Sequence, residues 1–235
     1  MAFYSKLAQF YTPVFPFREP VYRFLKNRLP AEGDSILDAG CGPGQYAARF
    51  AGEGYSALGI DLDVEMIRLA RRLAGDCPFR VLDLRDIDTL ERSFDLIFCI
   101  GNTMAHLPGR DFKQCVEAVY ARLNPGGIWV IQMRNWDHVL KLESYDFPVI
   151  NAGSGIRFYR HYADITEARL FFDTRLIVDG RTLFEERVPL YPIKSDHCAE
   201  MHERAGFHLQ EHFADFAGTR YSETEDTSNV LVYQK

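Results

Sequence analysis

With 235 residues, of which 47% are hydrophobic and 26% charged, the chain has the balance of an ordinary soluble globular protein: one large domain, or a core with a modest second lobe. Its net charge of -6, with no run of Lys or Arg, argues against a surface built to coat nucleic-acid phosphates, so no nucleic-acid partner is expected. Five scattered cysteines without a Cys-x-x-Cys pair offer neither a disulfide framework nor a zinc site and read as reduced thiols of a cytoplasmic protein. The aromatic, Pro-interrupted N-terminus has the wrong shape for a secretory signal, and no window of roughly 18 apolar residues predicts a membrane span.

In chain order, apolar positions at helical spacing (Leu7, Phe10 and Tyr11, then Val21, Phe24, Leu25 and Leu29) predict two helices divided by a break from Pro13 to Pro20. We expect residues 1–30 to form a helical lid. From residue 35, short apolar runs alternate with longer amphipathic segments: strands are expected at 35–39, 56–61, 79–84, 94–100 and 127–134, and helices near 45–53, 63–74 and 111–123. This alternation predicts an α/β class with a mainly parallel sheet. After residue 145 the texture becomes strand-like over 156–165, 169–180 and 181–191, with Asp179-Gly180 as a hairpin signal. A helix at 195–205 ended by Gly206, strands at 207–213 and 229–234, and a polar loop at 222–229 complete the chain. The expected organisation is a core over 31–145 and 193–235, interrupted by a three-stranded antiparallel β-meander within 146–192 on the substrate side.

The run Ile36-Leu37-Asp38-Ala39-Gly40-Cys41-Gly42-Pro43-Gly44 places a glycine-rich turn between the first strand and a helix, at the sheet edge where α/β proteins bind ligands. Such a turn also serves packing alone, so its neighbours matter. Asp61 ends the second strand, where a carboxylate can accept hydrogen bonds from both hydroxyls of a ribose; an exposed helix N-cap is the plainer reading. Met66 could lie on an adenine. Asp83 ends the third strand and offers a second carboxylate near the adenine amino group, with helix capping again the alternative.

The series DAGCGPG, GID, LDL and FDLIFCIGN resembles the four cofactor motifs of class I S-adenosylmethionine-dependent methyltransferases, in order and spacing. The resemblance implies a Rossmann-like core with S-adenosylmethionine as cofactor. It surrounds the methionine part with Asp38, Gly40 and Gly42 and gives the ribose to Asp61. It extends cofactor contacts to Cys41, Leu62, Leu84, Ile100 and Gly101, with Tyr11 reaching in from the N-terminal helix. Within that family, GNTMAHLP (101–108) and RNWDHVL (134–140) are similar to segments of glycine and sarcosine N-methyltransferases, as are Leu190-Tyr191-Pro192 and Ala214-Asp215-Phe216. Thr103 and Trp136 depart from that group's pattern, and sugar-amine N,N-dimethyltransferases look similar too.

The implied acceptor is a small-molecule amine, an amino acid such as glycine or sarcosine first and an amino sugar second; a non-catalytic cofactor-binding module is a third reading. Arg134 is expected to hold a substrate carboxylate, against an ion pair with Asp137 or Glu143. Asn102 either orients the amine or cofactor through its side-chain carbonyl or forms a turn. His106 accepts a proton or supports its loop, and Tyr191, Tyr4 and Tyr11 either enter the pocket or pack in the core. The other histidines lack metal-site spacing. No Asn/Asp-Pro-Pro-Tyr segment follows the fourth strand, which argues against a flipped-base substrate.

Overall fold

The computed structural model describes residues 2–153, 155–224 and 227–235, with side chains from Tyr4 onward; residues 225 and 226 of the polar loop therefore lie outside the described residues. Two helices lead, α1 (Ala2–Val14) and α2 (Glu19–Lys26). The break between them is shorter than the prolines suggest. Pro13 sits in the last turn of α1, where burial of Leu7 and Val14 against the second sheet offsets its missing N–H, and Pro20 falls in the first turn of α2, where no N–H is needed.

The core then alternates β1 (Ser35–Ala39), α3 (Gln45–Gly52), β2 (Ser56–Asp61), α4 (Val64–Leu73), β3 (Phe79–Val81), β4 (Phe94–Cys99), α5 (Gly109–Arg122) and β5 (Leu123–Arg134). The third strand is three residues shorter than expected. Asp83 caps a 3-10 turn over Leu84–Thr89 by accepting the Arg85 N–H at 2.9 Å, and that turns the chain off the sheet. A four-residue helix α6 (Trp136–Val139) follows β5.

The second sheet contains β6 (Tyr145–Asp146), β7 (Ile150–Asn151), β8 (Arg157–Ala163), β9 (Leu170–Val178) and β10 (Arg181–Leu190). The expected meander is its β8-β9-β10 part, and two short strands not expected from sequence both pair antiparallel with β8. Asp179 and Gly180, at φ 49° and 78°, form the predicted hairpin turn. The chain closes with α7 (Ser195–Ala205), stopped by Gly206 at φ 104°, then β11 (His208–Phe213) and β12 (Ser228–Gln234).

The main sheet runs β11-β12-β5-β4-β1-β2-β3, parallel except that β12 opposes both of its neighbours. Strand alternation gives it two buried faces. Trp129, Ile131 and Met133 of β5 join one cluster with Phe112 and Val116 of α5, while Val130 joins the other with Phe50 of α3. Each such side chain contributes roughly 1.5–3 kcal/mol on burial. The order of the strands reverses between β1 and β4, so a crevice opens at their C-terminal ends.

Helix α1 closes that crevice from above. Its Leu7 and Val14 pack with Phe158 and Leu176 of the second sheet, Ser5 Oγ donates to Asp63 Oδ2 at 2.6 Å on the core, and Lys6 pairs with Glu186 on β10.

Candidate active site

The glycine turn is built by backbone conformation. Gly40, Gly42 and Gly44 have φ of 81°, 53° and 79°, a region side chains rarely adopt. At Gly44 a Cβ would also stand 2.5 Å from the Phe79 ring, whereas at Gly42 it would rest in ordinary contact with the Tyr11 ring, 3.5 Å away. Gly42 also lines a cavity that a ligand can enter. The Gly42 N–H donates to Asp61 Oδ2 and the Asp63 N–H to Asp61 Oδ1, each at 2.8 Å. Asp61 therefore braces the turn, and the N-cap of α4 is Asp63, which accepts from the N–H groups of Glu65 and Met66. Burial raises the Asp61 carboxyl above its ordinary range. Asp38, nearly fully buried at the end of β1, accepts the Ala47 N–H at 3.3 Å and is pushed up to about 8 by burial.

Two connected arms leave this turn. The narrower, a cavity of about 90 Å³, is lined by Gly40, Gly42 and Asp61, and beyond them by Leu62, Met66, Asp83 and Leu84. Met66 and Leu84 are buried, and Leu62 is exposed at the rim. The Asp83 carboxylate meets the Arg85 fork through Oδ1 at 3.0 Å and Oδ2 at 2.8 Å, which holds it below the usual carboxylate range. Asp83 thus caps its turn and lines the cavity at once.

The wider arm, about 500 Å³, brings Asp38, Cys41, Ile100, Asn102 and Arg134 together. Tyr4, Tyr11, Gly40, Gly101 and His106 line both arms and mark their junction. Asn102 adopts φ 66° after Gly101 and spends its side-chain oxygen on the Arg134 N–H at 2.9 Å, so it forms the turn and also ties the tip of β4 to the tip of β5. Arg134 makes no ion pair among the described residues. Asp137 instead accepts from the Ser195 N–H and the Tyr221 hydroxyl, and the Arg134 guanidinium lies 5.0 Å from the Phe147 ring centre and 5.7 Å from that of Tyr145.

His106 Nε2 and the Tyr4 hydroxyl share a hydrogen bond of 2.8 Å. Burial lowers His106 to about 4 and raises Tyr4 well above the usual phenol range, so both are neutral at pH 7. Tyr191 lies outside the lining of either arm. Successive residues of an extended strand face opposite ways, and the buried Leu190 takes the inward position; Tyr191 is held by its own N–H to the Ala105 carbonyl at 2.8 Å.

Sequence reasoning missed the far wall of the wider arm: Phe147, Phe158, Arg160, Tyr162, Phe172 and Leu190 from the second sheet. The signal was present in Phe158, Arg160 and Tyr162 at period two, which puts an arginine on the same face as two buried aromatics. Gln132, whose Oε1 accepts the Gly101 N–H at 2.7 Å, and Thr103, whose methyl stands 2.7 Å from a Cβ built at Gly40, also support the turn.

Residues 36–127 match the family model for a methyltransferase domain. The chain is 28% identical over 220 residues to a glycine/sarcosine N-methyltransferase of Halorhodospira halochloris, covering 90% of this chain and 79% of that protein. It is 36% identical over 113 residues to a dTDP-4-amino-2,3,4,6-tetradeoxy-D-glucose N,N-dimethyltransferase of Saccharopolyspora spinosa, covering 48% of this chain and 45% of that one. Among solved structures, the CcbJ methyltransferase of Streptomyces caelestis superposes with a TM-score of 0.81 at 19% identity, over 98% of this chain and 96% of that chain. An S-adenosylmethionine-dependent methyltransferase of Clostridium acetobutylicum gives 0.80 at 17% identity, over 98% of each. Among the described residues, no helix is long and apolar enough to cross a membrane. The positive-φ turn at Gly42, the acid that braces it and the two-armed crevice fit S-adenosylmethionine, and with these matches the protein is an S-adenosylmethionine-dependent methyltransferase on a Rossmann-like fold.

Proposed function

We propose that this methyltransferase acts on the amine of a small acceptor that carries a carboxylate, glycine and sarcosine being the first members of that class to test. The observation that carries the reading is Arg134, a guanidinium facing the wider arm with no ion pair among the described residues. Its planar fork suits a carboxylate bound through two hydrogen bonds.

S-adenosylmethionine, when bound, supplies a methyl group on a cationic sulfur with a neutral thioether as leaving group. In our reading Asp38, Gly40, Cys41, Gly42, Ile100 and Gly101 hold its methionine part. Asp61 accepts from the ribose, and Leu62, Met66, Asp83 and Leu84 contact the adenine. Arg134 anchors the acceptor and Asn102 fixes the strand end that carries Arg134. Good alignment of the two reactants can supply roughly 7–11 kcal/mol of the barrier reduction. The amine must arrive unprotonated, and a nearby guanidinium disfavours the ammonium form. His106, at about 4, is too weak a base to store a proton at neutral pH. We assign it, with Tyr4, the task of orienting the amine as a neutral hydrogen-bond partner. Residues 1–30 then serve as a lid whose Tyr4 and Tyr11 exclude water, and 146–192 as the acceptor wall. The five buried free cysteines fit a reducing cytosol.

An amino-sugar acceptor is the second reading, favoured by a cavity of about 500 Å³, roomier than glycine needs. The test is release of S-adenosylhomocysteine by the purified protein across a panel of amines, beside Arg134→Ala. Turnover on carboxylate-bearing amines that falls at least about 100-fold in the variant, as expected for loss of a bidentate charged contact, supports the first reading. Turnover confined to amines without a carboxylate overturns it in favour of the second.

A further inference from the structure

We propose that the acceptor carries two anionic groups, one held by Arg134 and the other by Arg160; this rests on the reading above of an amine acceptor bound by Arg134. Three observations support it. First, Arg160 occupies an inward position of β8, between the buried Phe158 and Tyr162, where strand alternation ordinarily places an apolar side chain. Second, both guanidiniums line the wider arm and lie over one ring, Phe147, at 4.7 Å for Arg160 and 5.0 Å for Arg134. Third, both are under-paired. The Nε of each is buried without a hydrogen-bond partner, neither makes an ion pair among the described residues, and the polar contact of the Arg160 side chain is Nη2 to the Pro148 carbonyl at 3.1 Å.

Two like charges half withdrawn from water disfavour one another unless an anion lies between or beside them. Among the described residues no carboxylate pairs with either of them. Among the described residues that line the arm the one acid is Asp38, on β1, while a further arginine, Arg18, is exposed at the lining. A chain of net charge -6 therefore keeps a locally cationic cavity. A single carboxylate, as in glycine, would satisfy one fork and leave the other with its charge uncompensated. An amine bearing two carboxylates, or a carboxylate and a phosphate, satisfies both.

Two measurements test this. The first is kcat/KM for glycine and sarcosine against aspartate, glutamate and phosphoserine, in the wild type, Arg160→Gln and Arg160→Lys. The second is calorimetric binding of succinate and acetate to the chain saturated with S-adenosylhomocysteine, which requires no turnover and shows that each variant still binds the cofactor product. The wild type should prefer the dianionic amines by roughly 10- to 100-fold. Arg160→Gln should erase that preference through KM rather than kcat, Arg160→Lys should restore part of it, and succinate should bind more tightly than acetate only while position 160 is cationic. Preference for aspartate and glutamate over phosphoserine, or the reverse, identifies the second anion as carboxylate or phosphate. Equal or better use of glycine and sarcosine, or a preference that survives Arg160→Gln, overturns this inference and leaves the carboxylate-amine reading standing. Turnover on no member of the panel overturns that underlying reading, and it is distinguished from misfolding by intact binding of S-adenosylhomocysteine.

Discussion

The two arms of the crevice are made of different material. In the narrow arm, main-chain geometry does the shaping: three glycines at positive φ, and Asp61 clamping the N–H groups of Gly42 and Asp63 at 2.8 Å. In the wide arm, side chains from a second sheet do it, with Phe147, Arg160 and Tyr162 lining it together with Arg134. A wall of backbone changes shape little when a side chain is replaced. A wall of side chains can be exchanged residue by residue while its strands stay paired, which suits an arm that meets an acceptor rather than a shared cofactor.

The sharpest way to break this contrast is to remove the one side chain on which the narrow arm depends. Asp61→Ala leaves the Gly42 and Asp63 N–H groups without their acceptor and removes the acid at the tip of β2. We expect S-adenosylmethionine to bind roughly 100-fold more weakly by calorimetry, equivalent to about 3 kcal/mol. Affinity within a few-fold of wild type would show that the backbone alone defines the arm.

A second test lies at the junction. His106 titrates at about 4 in the folded chain against an ordinary 6.5, because burial penalises its charge. The unfolded chain therefore binds this proton first as pH falls. The contribution is fully present above pH 6.5 and is lost between about 6.5 and about 4, by up to roughly 3 kcal/mol. His202 behaves alike: it too is lowered to about 4, its Nε2 faces the Trp129 indole N–H at 3.0 Å, and its Nδ1 contacts the Cys198 carbonyl at 2.7 Å. Asp38, raised to about 8, pulls the other way as pH falls, so the His106 share is read as a difference from wild type: from about pH 7.5 to about 4.5 the urea midpoint of His106→Asn should fall less, leaving the share of His202. An unchanged slope would mean that His106 is solvated. The smallest effect is expected from Tyr4→Phe, which keeps the ring and deletes the hydroxyl bonded to His106. A neutral hydrogen bond contributes about 1 kcal/mol, so kcat should drop about fivefold with cofactor affinity unchanged. A drop in cofactor affinity instead would assign Tyr4 to the narrow arm.

What could be read from the sequence divides along the same line. The narrow arm is local: strand, glycine turn and helix follow one another, and the acids at the tips of β2 and beyond β3 stand at short spacings. The wide arm is assembled by pairing over long separations. Arg160 stands opposite Thr174, Phe147 bonds through its N–H to the Arg160 carbonyl, and Arg134 comes from another sheet altogether. Periodicity could say that Arg160 shares a face with Phe158 and Tyr162, but not what that face looks at. Tyr191 lies outside both linings for a related reason, since a motif fixes a residue's place along the chain while the strand's alternation fixes its direction. Pro13 marks the limit of local rules at the N-terminus: tertiary packing of Leu7 and Val14 carries the helix through a residue that ordinarily ends one.

Helix α1 touches both walls, through Ser5 to Asp63 of the core and through Lys6 to Glu186 of the second sheet, with Tyr4 and Tyr11 over the junction between them. On the proposed reading of this element as a lid over both ligands, the free energy of ordering it has to be supplied once. Whichever ligand binds first meets that cost and the second does not, so cofactor and acceptor should each raise the other's affinity by the same factor, as linkage requires.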